Sequence, residues 1–123
     1  MTYLWIAAGA VVGASARYFL SSVIARNFSP VFPYGTLLIN TTGSLILGFF
    51  LVYSTERALF DPRWRLLVAI GFCGSYTTFS SYAFESIALM ERGQWWLMTM
   101  NVVGSNVLCL AGVVVGAMLA RGL

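Results

Sequence analysis

Four long runs with almost no charge dominate this chain: about Tyr3–Ala25, Thr36–Tyr53, Leu66–Met90 and Trp95–Leu119. A helix needs roughly 20 mostly apolar residues to cross the hydrocarbon of a bilayer, and each run approaches or exceeds that length. Four spans use most of the 123 residues, so the chain reads as a single transmembrane unit with no separate soluble domain. Composition agrees, because 9% charged residues lies far below the roughly 25% of a soluble domain. The expected fold is therefore an all-α membrane protein of four transmembrane helices. The N-terminus does not read as a signal peptide, since its first charge, Arg17, lies inside the first apolar run.

One stretch contradicts its surroundings. Positions 75 to 82, in the middle of the third run, hold seven hydroxyl side chains interrupted only by Phe79. Lipid offers no hydrogen-bond partners, so polar or non-helical chain at membrane depth persists only where protein buries it or where it lines a wet cavity. With Gly71 and Gly74 beside it, this stretch predicts a break in the third helix and marks the functional centre. Discontinuous helices of this kind present free carbonyls and helix ends to ions. Beyond the break, Phe79, Tyr82 and Glu85 are spaced by three and share one face. Paired rings on a helix commonly serve a core or face lipid, but a carboxylate on the same face requires polar or wet surroundings.

The flanking spans carry their own polar marks. The first has the small-residue face Gly9/Gly13, suited to close helix packing. Arg17 follows one turn later, where a charge costs about 2.5–3.5 kcal/mol on insertion scales. Snorkelling, structural pairing and an electropositive vestibule for anions are all open to it. A loop from Arg26 to Thr36 contains Pro30, Pro33 and Gly35, with Thr36 placed to cap the second helix. In that helix Thr36, Asn40 and Ser44 recur every four residues along one face, either to bond a neighbouring helix or to form a polar track for an ion.

Tyr53–Arg65 reads as the second loop, with Asp61 as N-cap and Pro62 at the first helical position of the third helix. Arg92-Gly93 closes that helix, and Trp95-Trp96 anchors the fourth at the interface. The fourth carries Asn101 and Ser105 one turn apart, followed by Gly112 and Gly116. Its polar half is expected to face Asn40 and the third helix, and its glycine half to pack. Gly43 and Gly104 fit the same close-packing rule.

Several function classes are excluded. Cys73 and Cys109 lie inside apolar spans, the chain has no His, and nothing resembles a metal cluster or disulfide framework; both cysteines read as small buried hydrophobes. No acid–base pair or activated nucleophile is visible, which argues against an enzyme. The arginines are scattered at span ends, which argues against nucleic acid. Arg57, Arg63, Arg65 and Arg121 lie on the side of the termini, against Arg26 and Arg92 opposite, with Arg17 nearer the second side. So weak a bias permits insertion both ways up, and hence an antiparallel dimer. Burying a broken helix also demands a partner, since a chain this small has little interior for it.

The combination of Gly35-Thr-Leu-Leu-Ile-Asn40, the run Gly71 to Glu85 with its Thr77-Thr78-Phe79-Ser80 centre, and Gly104-Ser105, with Arg17 in the first span, resembles the Fluc (CrcB-type) fluoride channels. The likeness covers essentially the whole chain. It implies an antiparallel, dual-topology homodimer in a prokaryotic inner membrane, two fluoride pores at the subunit interface, and one structural sodium ion on the two-fold axis. Carried over by position, Asn40 would donate its amide to fluoride and Phe79 would offer a positively polarised ring edge. Ser105 and Thr36 would belong to a polar track, and Glu85 would orient polar groups there. Arg17 would stand near a pore entrance, and the Gly74 and Thr77 carbonyls would hold sodium. The sequence departs from the family pattern at Tyr82, where a second Phe is usual, and at Ser75 and Tyr76. A different class also uses four short helices and an essential intramembrane carboxylate, the small dual-topology proton-coupled multidrug transporters. There the acid sits centrally, whereas Glu85 lies about five residues from the end of its span.

Overall fold

The helices form where the apolar runs predict, and most extend further. The computed structural model describes residues 1–57 and 61–122, and every regular element among them is helical. Helix α1 spans Thr2–Asn27 and α2 spans Tyr34–Arg57. A third rod begins with α3 (Pro62–Trp64), continues as a π-helix (Arg65–Cys73) and ends with α4 (Gly74–Tyr76). After an interruption come α5 (Phe79–Glu91) and α6 (Trp95–Gly122). Three helices, α1, α2 and α6, are long and apolar enough to cross a membrane. The third apolar run is divided between the rod and α5, as the hydroxyl run predicts.

The break falls slightly later than the glycines suggest. Gly74 is helical, with φ −62° and ψ −32°. Extended backbone begins at Thr77 (φ −83°, ψ 158°) and continues through Thr78 (φ −150°, ψ 108°). Gly71 serves packing instead: a Cβ there would meet the Ile6 carbonyl oxygen of α1 at 2.6 Å.

Small residues set the helix pairing. A methyl on Gly9 or Gly13 would run into the carbonyl oxygens of Leu67 or Phe72, so α1 lies backbone to backbone against the rod. Likewise Gly48 abuts Val113, Gly116 abuts Leu45, and a Cβ on Gly112 would stand 3.0 Å from the Thr41 carbonyl. From Thr41/Gly112 through Leu45/Gly116 to Glu56/Arg121 the residue numbers rise together, so α2 and α6 run in the same direction. Gly43 also packs closely, against Thr77 and Tyr76. Gly104 does not follow the rule within one chain: a Cβ there would have nothing within 4 Å among the described residues.

Turn chemistry explains the ends. Asp61 caps the rod by accepting from the Arg63 N–H at 2.9 Å, with Pro62 following, as its sequence predicts. The Arg63 amide and guanidinium hold the Asp61 carboxyl below the ordinary carboxylate value. Gly93 takes φ +76°, and its N–H and that of Gln94 return to the carbonyls of Met90 and Leu89 at 3.0 and 2.8 Å. That paired closure, with glycine in the left-handed region, stops α5 and reverses the chain into α6.

Two boundary expectations need correction. The second connection is shorter than Tyr53–Arg65, because α2 continues to Arg57 and α3 starts at Pro62; residues 58 to 60 lie outside the described residues. Thr36 is not the cap of α2, which starts at Tyr34; its hydroxyl sits inside the first turn and donates elsewhere. The arginine distribution agrees with the predicted ends. Arg121 pairs with Glu56 at 3.0 Å, and Arg63 lies 5.6 Å over the Trp5 ring, near the N-terminus.

Candidate functional site

The interruption of a helix at membrane depth creates a hydrogen-bonding problem, and the site is built from its solution. Asn40, on α2, turns its amide to Thr78 and satisfies both backbone groups at once. Its Nδ2 donates to the Thr78 carbonyl at 3.1 Å, and its Oδ1 accepts from the Thr78 N–H at 2.8 Å. An amide carries two donors and an accepting oxygen, so one N–H of Asn40 remains for another partner. The Thr78 hydroxyl caps α5 by accepting from the Ser81 N–H at 3.2 Å.

These diversions free specific carbonyls. In an unbroken helix the Thr78 N–H would reach Gly74, and the Ser81 N–H would reach Thr77. Both donors are taken, by Asn40 Oδ1 and Thr78 Oγ1 respectively. The Gly74 and Thr77 oxygens are thereby left without their usual partners. Neutral carbonyl oxygens of this kind suit a hard cation, so the residues fit a sodium site. Between them, the Ser75 carbonyl accepts from Arg17 Nε at 3.1 Å. Arg17 thus sets a cation against the C-terminal, negative end of the rod.

Beside the break lies an open groove of about 410 Å³. Asn40, Ser44, Thr77, Thr78, Phe79, Tyr82 and Ser105 line it, together with Gly74, Asn106 and both cysteines. Four of the residues singled out for an ion pathway, Asn40, Phe79, Tyr82 and Ser105, therefore share one wall system. The Phe79 and Tyr82 rings are tilted by 55° with centroids 5.3 Å apart. Phe79 is 78% exposed, which leaves its ring uncovered by the chain itself.

Three named residues stand outside the groove. Thr36 donates to Glu85 Oε1 at 2.6 Å, one helical turn beyond Asn40 on α2 and beyond Tyr82 on α5. This pair continues the polar stripe toward the membrane end where Arg26 and Arg92 lie. Arg17 is held at the rod instead. Ser105 is buried and donates its proton to Asn101 Oδ1 at 3.2 Å. Asn101 in turn donates to Ser86 Oγ at 2.8 Å, and Ser86 to the Tyr82 carbonyl at 2.7 Å. As expected, the polar half of α6 faces the third segment.

Sequence reasoning passed over Thr78, Asn106 and Ser86. Thr78 meets Asn40 through its backbone, which no side-chain pattern reveals, and caps α5 with its hydroxyl. Asn106 adjoins Ser105 and was detectable as a further amide in an apolar span; its Nδ2 donates to the Tyr82 hydroxyl at 3.2 Å. Cys109 is only half-buried and lines the groove, in contrast to the buried Cys73.

Known proteins resemble this chain over nearly its whole length. The family described as CrcB-like protein, Camphor Resistance (CrcB), matches residues 4–117. A relative from Koribacter versatilis (strain Ellin345), named fluoride-specific ion channel FluC, is 57% identical over 98% of this chain and 96% of its own length. Proteins of the same name from Solibacter usitatus (strain Ellin6076) and Sulfurihydrogenibium sp. (strain YO3AOP1) are 42% and 41% identical. Those alignments cover 98% and 97% of this chain, and 99% and 96% of the relatives.

Proposed function

The chain belongs to the CrcB-like family of membrane proteins, and on that premise we propose that it is a passive, fluoride-selective channel that lets fluoride out of the cytoplasm and so reduces its toxicity. The relatives are named as ion channels, not as enzymes. The observation that carries the reading is one groove, beside a helix break, lined by neutral polar side chains and by the rings of Phe79 and Tyr82.

Fluoride is small and strongly hydrated, so a narrow pathway must replace its water with convergent donors. Asn40 has an N–H to spare, and the Tyr82 hydroxyl keeps its own proton, so both are uncharged donors facing the groove. Aromatic rings are positive at their edges, so Phe79 and Tyr82 favour an anion while excluding water. Neutral groups also bind weakly enough to release the ion, as conduction requires. The Thr36–Glu85 pair orients the end of the track, and Ser105 lines its wall. Arg17 raises the positive potential near the break and restrains it.

A second copy completes the assembly in this reading. The groove is open, the Phe79 ring is uncovered, and broken backbone cannot face lipid. An antiparallel, dual-topology homodimer in the inner membrane of a prokaryotic cell would close two such grooves into two pores. It would also bring the Gly74 and Thr77 carbonyls of both copies around a structural sodium ion, which would neutralise their converging dipoles.

The test is efflux from liposomes containing purified protein, followed by fluoride and chloride electrodes on one preparation. Fluoride release without chloride release is expected. Retention of fluoride by vesicles that hold assembled protein would contradict the proposal.

A further inference from the structure

Resting on the channel reading, we propose that the Tyr82 hydroxyl is a direct hydrogen donor to the permeating anion and that Asn106 is the residue that positions it. The argument begins with proton bookkeeping. The Asn106 amide nitrogen has two hydrogens; one goes to the Val102 carbonyl at 2.7 Å and the other to the Tyr82 hydroxyl at 3.2 Å. An amide nitrogen only donates, so the Tyr82 oxygen is the acceptor in this contact. The phenol keeps its own proton for another acceptor. Both residues line the groove that also holds Asn40 and Phe79.

The Val102 bond matters because it anchors the amide. With one N–H fixed to its own helix, Asn106 presents the other in a set direction, and the phenol oxygen is held by it. Phe79 packs against the same ring, with centroids 5.3 Å apart. Tyr82 therefore offers a ring edge and a hydroxyl at one station, and the hydroxyl is the stronger donor. Thr42 and Tyr76 form a comparable hydroxyl contact, at 2.9 Å, but neither lines the groove.

The experiment measures fluoride conductance of the intact protein in planar bilayers as a function of fluoride concentration. Tyr82→Phe keeps the ring and removes only the hydroxyl, so its half-saturating fluoride concentration is expected to rise roughly tenfold, the usual scale for a hydrogen bond to a charged group. Asn106→Ala is expected to raise it by a smaller factor. In the Tyr82→Phe background, Asn106→Ala is expected to add nothing, since the group it positions is gone. A merely structural Asn106 would shift both backgrounds equally, and that result overturns its assigned role. Unchanged half-saturation in Tyr82→Phe overturns the donor assignment. A wild type that carries no fluoride defeats the channel reading itself, whereas a conducting wild type with unaltered variants defeats this inference alone.

Discussion

The side-chain amide of Asn40 closes a two-bond ring with the backbone of Thr78, donating at 3.1 Å and accepting at 2.8 Å, and so replaces the helical bonds that the break removes. Within the channel reading, one residue then serves the fold and the anion, with its remaining N–H available to the groove. Substitutions at Asn40 accordingly report on both.

Asn40→Ala leaves the Thr78 N–H and carbonyl unpaired, at a cost of about 1–3 kcal/mol for each buried group. Loss of fluoride flux together with a clear drop in resistance to thermal unfolding in detergent is expected. Unchanged stability would show that water or another side chain satisfies Thr78. Asn40→Asp keeps the acceptor and loses the donor, and its stability is expected to fall between the two.

Phe79 makes no comparable structural bond and is largely exposed on the chain. Phe79→Ile is expected to abolish fluoride efflux while the protein still assembles, as judged by size-exclusion chromatography of the purified variant. A variant that no longer assembles would place Phe79 in the structural contact and outside the pathway.

The glycines divide by what surrounds them. A Cβ at position 13 would strike the Phe72 carbonyl oxygen, so Gly13→Ala is expected to cost about 1–3 kcal/mol through forced separation of α1 from the rod. Gly104 has nothing within 4 Å, and Gly104→Ala is expected to leave stability unchanged within about 0.5 kcal/mol. Denaturation of both variants side by side checks the contrast, and equal losses would contradict the assigned packing.

Outside the membrane, Asp61 gives a pH dependence of known sign. Its carboxyl is held below the ordinary value of 3.8 by the Arg63 N–H and then by the Arg63 guanidinium. A depressed folded pKa contributes stability above the unfolded value, and that contribution is lost as pH falls through the folded value. Fraying of α3 is therefore expected only in strong acid, and Asp61→Asn, which still caps, removes this dependence. Amide exchange near Pro62–Trp64 across pH 2 to 5 would measure it, and fraying that began well above the ordinary carboxylate value would contradict it.

Much of this architecture was legible in the sequence. The apolar runs located the helices, Asp61-Pro62 and Arg92-Gly93 marked ends of the third segment, and the seven hydroxyls of positions 75 to 82 announced the break. What side-chain chemistry left hidden was backbone behaviour. The break sits at Thr77-Thr78 and not at a glycine: Gly71 packs against α1, Gly74 stays helical, and the broken backbone at Thr78 is satisfied by Asn40. The π-helical stretch Arg65–Cys73 has no counterpart in the residue pattern. The sequence offers Thr36 as a cap and as a member of the polar face with Asn40 and Ser44, but its hydrogen-bond partner, Glu85, is 49 residues away. Long-range pairs of this kind become visible only once α2 and α5 lie side by side.

The central claim, passive selective conduction of fluoride, is most directly tested by current recording in planar bilayers under opposed fluoride and chloride gradients. The account predicts currents that reverse at the fluoride equilibrium potential. Reversal at the chloride or cation potential would contradict it, as would silence from protein shown to be assembled in the bilayer.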